Sequence, residues 1–201
     1  MSGPESDYFA RLYRGSDDPY GVGTRWYEER KCALLMASLP RRRYRSAYEP
    51  ACGVGVLTLA LADRCDQVLA SDFDARAVDL ARDRARTRDN VRVEQHVLPA
   101  QWPRDDGPFD LIVLSEIGYF LDEASMRATA ACCGDALALG GSLVACHWRP
   151  DFEERTLSTL KVHAILAELR LPRLLRHEED DFILEVWSRD PRSVAQQEGI
   201  R

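Results

Sequence analysis

No run of about 18 apolar residues occurs in this 201-residue chain, so no transmembrane helix is expected. The opening MSGPESDYFARLYRG is polar and charged and lacks the apolar core of a secretory signal, which points to a cytoplasmic protein. None of the six cysteines (Cys32, Cys52, Cys65, Cys132, Cys133, Cys146) forms a CxxC pair, and no Cys/His cluster has zinc-site spacing. No metal is expected, and the thiols read as free, mostly buried groups in a reducing compartment. Positive charge is also short. The formal net charge is −6, and the basic runs are either brief (Arg41 to Arg43) or interleaved with acids (Arg76 to Arg88). A nucleic-acid partner needs a basic face, so none is expected. Repeats and low-complexity tracts are absent as well. What remains is an ordinary globular composition, 45% hydrophobic and 30% charged, at a length suited to one core.

Strand and helix signals alternate along that length. Residues 8–14 form a short amphipathic segment, and Asp17 to Gly21 a loop. Residues 26–39 predict a helix stopped by Pro40, with Cys32, Leu35, Met36 and Leu39 on one stripe. A short strand at 46–49 leads into a Gly-containing turn at 51–55 and an apolar helix at 56–64. Strands at 68–72, 91–96 and 109–115 follow, with a helix at 75–87 between the first two. The run Phe109 to Ser115 suits a central buried strand. A helix at 125–137 closed by Gly140-Gly141, a strand at 142–147, a helix at 157–169 and two strand-like pieces at 174–175 and 182–187 complete the series. The pattern predicts an α/β fold with a mostly parallel sheet, helices on both faces and an antiparallel hairpin at the C-terminal edge.

The segment Glu49-Pro50-Ala51-Cys52-Gly53-Val54-Gly55 lies between the first strand and its helix. Its glycines allow a sharp turn and close approach of a ligand to the backbone. Asp72 ends the second strand, where an acid is placed to accept hydrogen bonds from ribose hydroxyls. It could instead cap the helix after it, with Asp74 as a competing cap. A dinucleotide fingerprint would need glycine at position 58, where Thr58 stands. Glu49 would also repel a pyrophosphate but suits a cationic amine and sulfonium ligand. Electrostatics therefore favours S-adenosylmethionine over a nicotinamide dinucleotide.

Glu49 to Gly55, Asp72, the 109–115 strand and the Leu139-Gly140-Gly141 turn resemble class I methyltransferases in their usual order. Asp18-Pro19-Tyr20, Trp26-Tyr27-Glu28-x-Arg30-Lys31, the 114–121 run and His147-Trp148-Arg149 resemble more specifically the nodulation protein S family. That family is associated with N-methylation of an amino sugar in a deacetylated chitooligosaccharide. The resemblance implies a Rossmann-like seven-stranded sheet in one domain over 1–190, helices at 8–39 as a lid, and a flexible tail at 191–201. It implies that Glu49, Ala51, Gly53 and Gly55 hold the methionine part of the cofactor. Asp72 would hold the ribose, Phe73, Val97 and Leu98 would flank the adenine, and Tyr27 and Arg30 would close over the cofactor. Ser115 and Glu116 would lie near the methyl group. From the residues themselves, Glu116 or His147 is a candidate general base that takes the proton of an amine nucleophile, and Tyr119 a catalytic candidate through cation–π attraction. Ala51 stands where many members have a glycine; alanine serves there if its φ is negative.

His163 lies on an apolar helix face and is expected to pack. Of the aromatic pair Trp26 and Tyr27, one should pack and the other line a site; the sequence does not say which. The expected activity is methylation of a small-molecule amine or amino sugar, with S-adenosylhomocysteine as product. The rivals are O- or C-methylation, a nicotinamide-dependent oxidoreductase, and a non-catalytic cofactor-binding module. The expected assembly is a monomer or small homo-oligomer, away from membranes.

Overall fold

Strand β4 (Phe109–Ser115) shows why the chain folds as it does. Its side chains alternate between two cores: Ile112 and Leu114 pack with Phe9, Met126, Val162 and Trp187, while Leu111 and Val113 pack with Leu35, Leu61 and Val144. A strand apolar on both faces must be covered on both, and helices do so. In the computed structural model, which describes residues 4–201, seven strands form one sheet. In chain order they are β1 (Tyr44–Pro50), β2 (Cys65–Asp72), β3 (Val91–Gln95), β4, β5 (Leu137–Trp148), β6 (Arg173–Glu178) and β7 (Phe182–Ser188). Residues 1–3 of the expected domain lie outside the described residues.

The sheet order is β3-β2-β1-β4-β5-β7-β6. β1 pairs in parallel with β2 and β4, and β7 runs antiparallel between β5 and β6, as the closing hairpin pattern predicted. The helices are α1 (Pro4–Gly15), α2 (Trp26–Ser38), α3 (Val56–Ala62), α4 (Ala75–Ala85), α5 (Glu123–Ala136), α6 (Thr159–Ala167) and a single turn, α7 (Val194–Gln197). The chain leaves β1 for β2 on one side and later places β4 on the other. The carboxyl ends of β1 and β4 therefore flank the switch point, where open α/β sheets bind ligands.

Two expectations need correction. Leu139-Gly140-Gly141 is not a turn; α5 runs directly into β5, and these residues form its first stretch. The register shifts between Phe109 and Leu111, and Gly140 takes φ +69, so a bulge absorbs what a loop was expected to. β1 also extends two residues earlier and one later than its apolar pattern suggests. Within the segment 191–201, Ser193 and Gln196 form a reciprocal capping box on the single turn α7. No helix among the described residues is long and apolar enough to cross a membrane. All six cysteines are free.

Candidate active site

The turn after β1 is built on left-handed backbone. Ala51, Gly53 and Gly55 take φ of +58, +53 and +78. Ala51 therefore does not meet the condition of a negative φ under which alanine would replace glycine freely. A β-carbon in this region costs roughly 1–2 kcal/mol, partly offset because alanine loses less chain entropy on folding than glycine. Ala51→Gly should raise the thermal midpoint by roughly 2–4 °C, about 1 kcal/mol in a domain of this size. An unchanged or lower midpoint in differential scanning calorimetry would show that the turn carries no such strain.

The turn is tied to β2. Cys52 N–H donates to the Ser71 carbonyl at 2.9 Å, and Gly53 N–H donates to Asp72 Oδ2 at 2.9 Å. The other Asp72 oxygen accepts from Asp74 N–H. Asp74, not Asp72, caps α4, accepting from the N–H groups of Arg76 and Ala77. This leaves Asp72 free to face the cleft. Gly55 lies behind the turn: a β-carbon there would come within 3.1 Å of Ala81, so this glycine also lets α4 pack closely.

Glu49 ends β1 fully enclosed and accepts a 2.6 Å hydrogen bond from Thr58 Oγ1. The residue that breaks the dinucleotide fingerprint thus holds the acid in place. Burial pushes the Glu49 carboxyl up to about 8 and the Asp72 carboxyl up to about 6. Neither acid has a cationic partner among the described residues. Two buried carboxylates that lack a counter-charge, beside a left-handed backbone cradle, suit a ligand bearing a cation and hydroxyl groups.

They open into a cleft of about 590 Å³ at the carboxyl ends of β1, β2 and β4, a size typical of small-molecule sites. Tyr27, Glu49, Ala51, Gly53, Asp72, Phe73, Ser115, Glu116 and Tyr119 all line it. α1 and α2 lie over it through Phe9, Tyr13, Tyr27 and Lys31. Phe9 stacks edge-on against both Phe73 (5.2 Å) and Phe120 (4.9 Å), so α1 bridges the two halves. Tyr27 is the inward member of its aromatic pair, while Trp26 is 71% exposed. Leu98 borders a small recess next to Phe73 and His96; Val97 does not reach it.

Besides Gly55, Val97 and Leu98, two further sequence candidates lie outside the cleft lining. Arg30 is outside the cleft, bonded through both guanidinium ends to Glu179 at 2.8 and 2.6 Å. His147 is fully buried behind the cleft wall. Its Nε2 accepts from Gly118 N–H at 3.1 Å, and its Nδ1 contacts His163 Nε2 at 3.1 Å. His163 Nδ1 reaches Glu185 at 2.7 Å. A backbone N–H can only donate, so neutral His147 carries its proton on Nδ1 and hands it toward His163, which donates in turn to Glu185. Burial pulls the His147 pKa well below the usual histidine value. Its basic lone pair is spent on the loop that follows Glu116. The expected general-base role is therefore replaced by loop anchoring, and His163 is a link in this chain rather than mere packing.

The acceptor end is organised around Glu116, which has φ +57. Its Oε2 accepts from Tyr119 OH at 2.5 Å and from Trp148 N–H at 2.8 Å, and its Oε1 accepts from Lys31 Nζ at 2.6 Å. Strained backbone held by several side-chain bonds is characteristic of functional positions. Sequence reasoning did not assign Lys31, Tyr13 or Phe152 to the site, yet all line the cleft, as does Trp148. Lys31 was findable: it is four residues from Tyr27 on one helix face.

A family model described as a methyltransferase domain matches residues 47–141, the segment from the middle of β1 through the switch region to β5. A candidate methyltransferase from Pseudomonas syringae is 49% identical, with a TM-score of 0.74, covering 82% of this chain and all of that one. The chain belongs to the class I methyltransferases. S-adenosylmethionine is the cofactor of that class. Within it, the fold is similar to that of the N-methyltransferase NodS from Bradyrhizobium japonicum WM9 in complex with S-adenosyl-L-homocysteine, with a TM-score of 0.81 and 24% identity over 94% of this chain and all of that one. Nodulation protein S of Sinorhizobium fredii is 29% identical over 116 residues, 57% of this chain. This match spans about half of that protein, 53% of its length.

Proposed function

We propose that the protein transfers a methyl group from S-adenosylmethionine to the nitrogen of a small amine, with an amino sugar as the leading acceptor class. The carrying observation is the charge of the cleft. Among the described residues, Asp18, Glu28, Asp72, Glu116, Glu154 and Asp181 line it against only Arg25 and Lys31 as cations, and Glu49 adds a carboxyl that a bound cation would ionise. Such a cleft concentrates cations, and so draws in from solution the protonated form of an amine, which must lose its proton before it can attack. The similar NodS structure is that of an N-methyltransferase, which supports nitrogen as the acceptor atom.

When bound, the cofactor supplies a methyl group already activated on a sulfonium. The protein's task is then to orient the acceptor and exclude water. Glu49 and the Gly53 backbone would hold the amino-acid part, Asp72 the ribose hydroxyls, and Phe73 with Leu98 the adenine. Ser115 and Glu116 would face the acceptor nitrogen. Tyr119, Trp148 and Phe152 present aromatic faces to an amine or to the apolar face of a sugar ring.

The test is turnover of S-adenosylmethionine with a panel of amines that includes D-glucosamine, with the product located by mass spectrometry and NMR. The expected result is S-adenosylhomocysteine together with N-methylated amine. Methylation at oxygen or carbon overturns the acceptor assignment. Tight cofactor binding without transfer to any acceptor overturns the enzymatic one.

A further inference from the structure

Lys31 has no role in the scheme above, yet it is the cation bonded to Glu116. Its side chain is only 9% exposed, and Nζ lies 2.6 Å from Glu116 Oε1, 2.9 Å from Glu28 Oε2 and 5.0 Å from the centre of the Tyr27 ring. Burial alone would lower its pKa, but Glu116 and Glu28 outweigh burial and raise it, so Lys31 stays charged. The other titratable groups facing this cluster are Tyr27 and Cys32 from α2, Tyr119 after β4 and Cys146 on β5. Burial raises each of them and lowers His147, which packs against Tyr119 from β5, so all five stay neutral at physiological pH. The charged set is thus Glu28, Lys31 and Glu116.

Glu116 has little acceptor capacity left. Oε2 is occupied by Tyr119 OH and Trp148 N–H, and Oε1 shares its two lone pairs between Lys31 and whatever enters the cleft. A nitrogen bonded to that last lone pair sits beside Lys31 Nζ, roughly 4–5 Å away if both bonds have ordinary lengths. Like charges at that range disfavour each other.

We propose, on the amine reading above, that Lys31 is a positioning residue that makes Glu116 a receptor for the neutral amine rather than the ammonium ion. A neutral amine donates one N–H to Oε1 and keeps its lone pair free. An ammonium ion has no lone pair and cannot act as a nucleophile. With a neutral side chain at position 31, Glu116 and Glu28 are left as two unbalanced carboxylates and capture the ammonium ion instead. Lys31 therefore biases the acceptor toward its reactive form at the moment of binding, and the released proton goes to solvent.

The experiment is calorimetric titration of D-glucosamine into protein saturated with S-adenosylhomocysteine, from pH 6.5 to 9, in two buffers of different ionisation heat. Wild type, Lys31→Met and Lys31→Arg are compared. S-adenosylhomocysteine affinity within twofold across the three confirms that the fold and cofactor site are intact. Wild type should release close to one proton per amine bound near pH 7, and its affinity should rise about tenfold per pH unit below the pKa of the free amine. Lys31→Arg should behave like wild type. Lys31→Met should bind without proton release, and its affinity should not rise with pH. Equal proton release by wild type and Lys31→Met overturns the proposal while leaving the amine reading intact. Absence of amine binding in all three at every pH, with S-adenosylhomocysteine bound, overturns the amino-sugar reading and this proposal with it.

Discussion

Asp72→Ala should weaken S-adenosylhomocysteine binding at least a hundredfold, measured by calorimetry. The Asp72 carboxylate faces the cleft from the end of β2 and already fixes the turn through Gly53 N–H and Asp74 N–H. Its unused acceptor sites are those a ribose would take. Hydrogen bonds to a charged group are worth about 1.5–3 kcal/mol each, so losing two removes roughly 3–6 kcal/mol, and each 1.4 kcal/mol is tenfold in affinity. Asp72→Asn separates the two parts of this role. Its side-chain oxygen can still accept from Gly53 N–H and preserve the turn, but it lacks the charge, so an intermediate loss is expected. Affinity for Asp72→Ala within threefold of wild type would mean that the ribose is held elsewhere.

How much of this site the chain reveals on reading depends on the range of the contacts. The Gly turn, Glu49, Asp72 and β4 are local patterns, set by spacing within one βαβ unit, and they lie where their sequence places them. Lys31 and Glu116 are 85 positions apart and meet only because α2 folds back over the sheet edge. No local pattern encodes that. His147 is a different case. Cys146 and Trp148 both line the cleft, so on a strand the residue between them must point to the opposite face. Once Cys146 and Trp148 are placed in the cleft, period-two alternation along β5 excludes His147 from it. Arg30 fails by the same logic on a helix: Tyr27, Glu28, Lys31, Cys32 and Leu35 share the inward face, and position 30 lies off it. The Leu139-Gly140-Gly141 misreading has another origin. Paired glycines signal either a turn or a bulge, and only the strand partner, here β4, decides which.

The ligand-free protein should become less stable as pH rises from 6.5 to 8, and Glu49 should be the cause. The Glu49 carboxyl is raised from an ordinary value of 4.5 to about 8 in the folded state by burial, with the Thr58 hydroxyl opposing the shift. The sign follows from proton counting. Between these values the folded protein holds a proton that the unfolded chain has released, so the stability this proton confers is complete below about 4.5 and is lost as pH passes through 8. The slope approaches about 1.4 kcal/mol per pH unit, or roughly 2 kcal/mol across this interval. At 2–4 °C per kcal/mol, the melting midpoint should fall by roughly 4–8 °C. Asp72, raised to about 6 by burial, adds the same sign at the lower end of the range. Glu49→Gln keeps a hydrogen-bond acceptor for Thr58 without a titrating group, so its midpoint should stay nearly flat over the same pH range. The comparison isolates Glu49 from every other group that titrates there. A wild-type midpoint that holds steady or rises, or a Glu49→Gln slope equal to wild type, would remove Glu49 as the source. The cofactor links this cost to function. A cation placed against Glu49 favours its ionised form and lowers its pKa, so saturating S-adenosylhomocysteine should raise the midpoint most at pH 8 and flatten the slope. The acid that weakens the empty protein at alkaline pH is the one whose charge a bound ammonium group would balance.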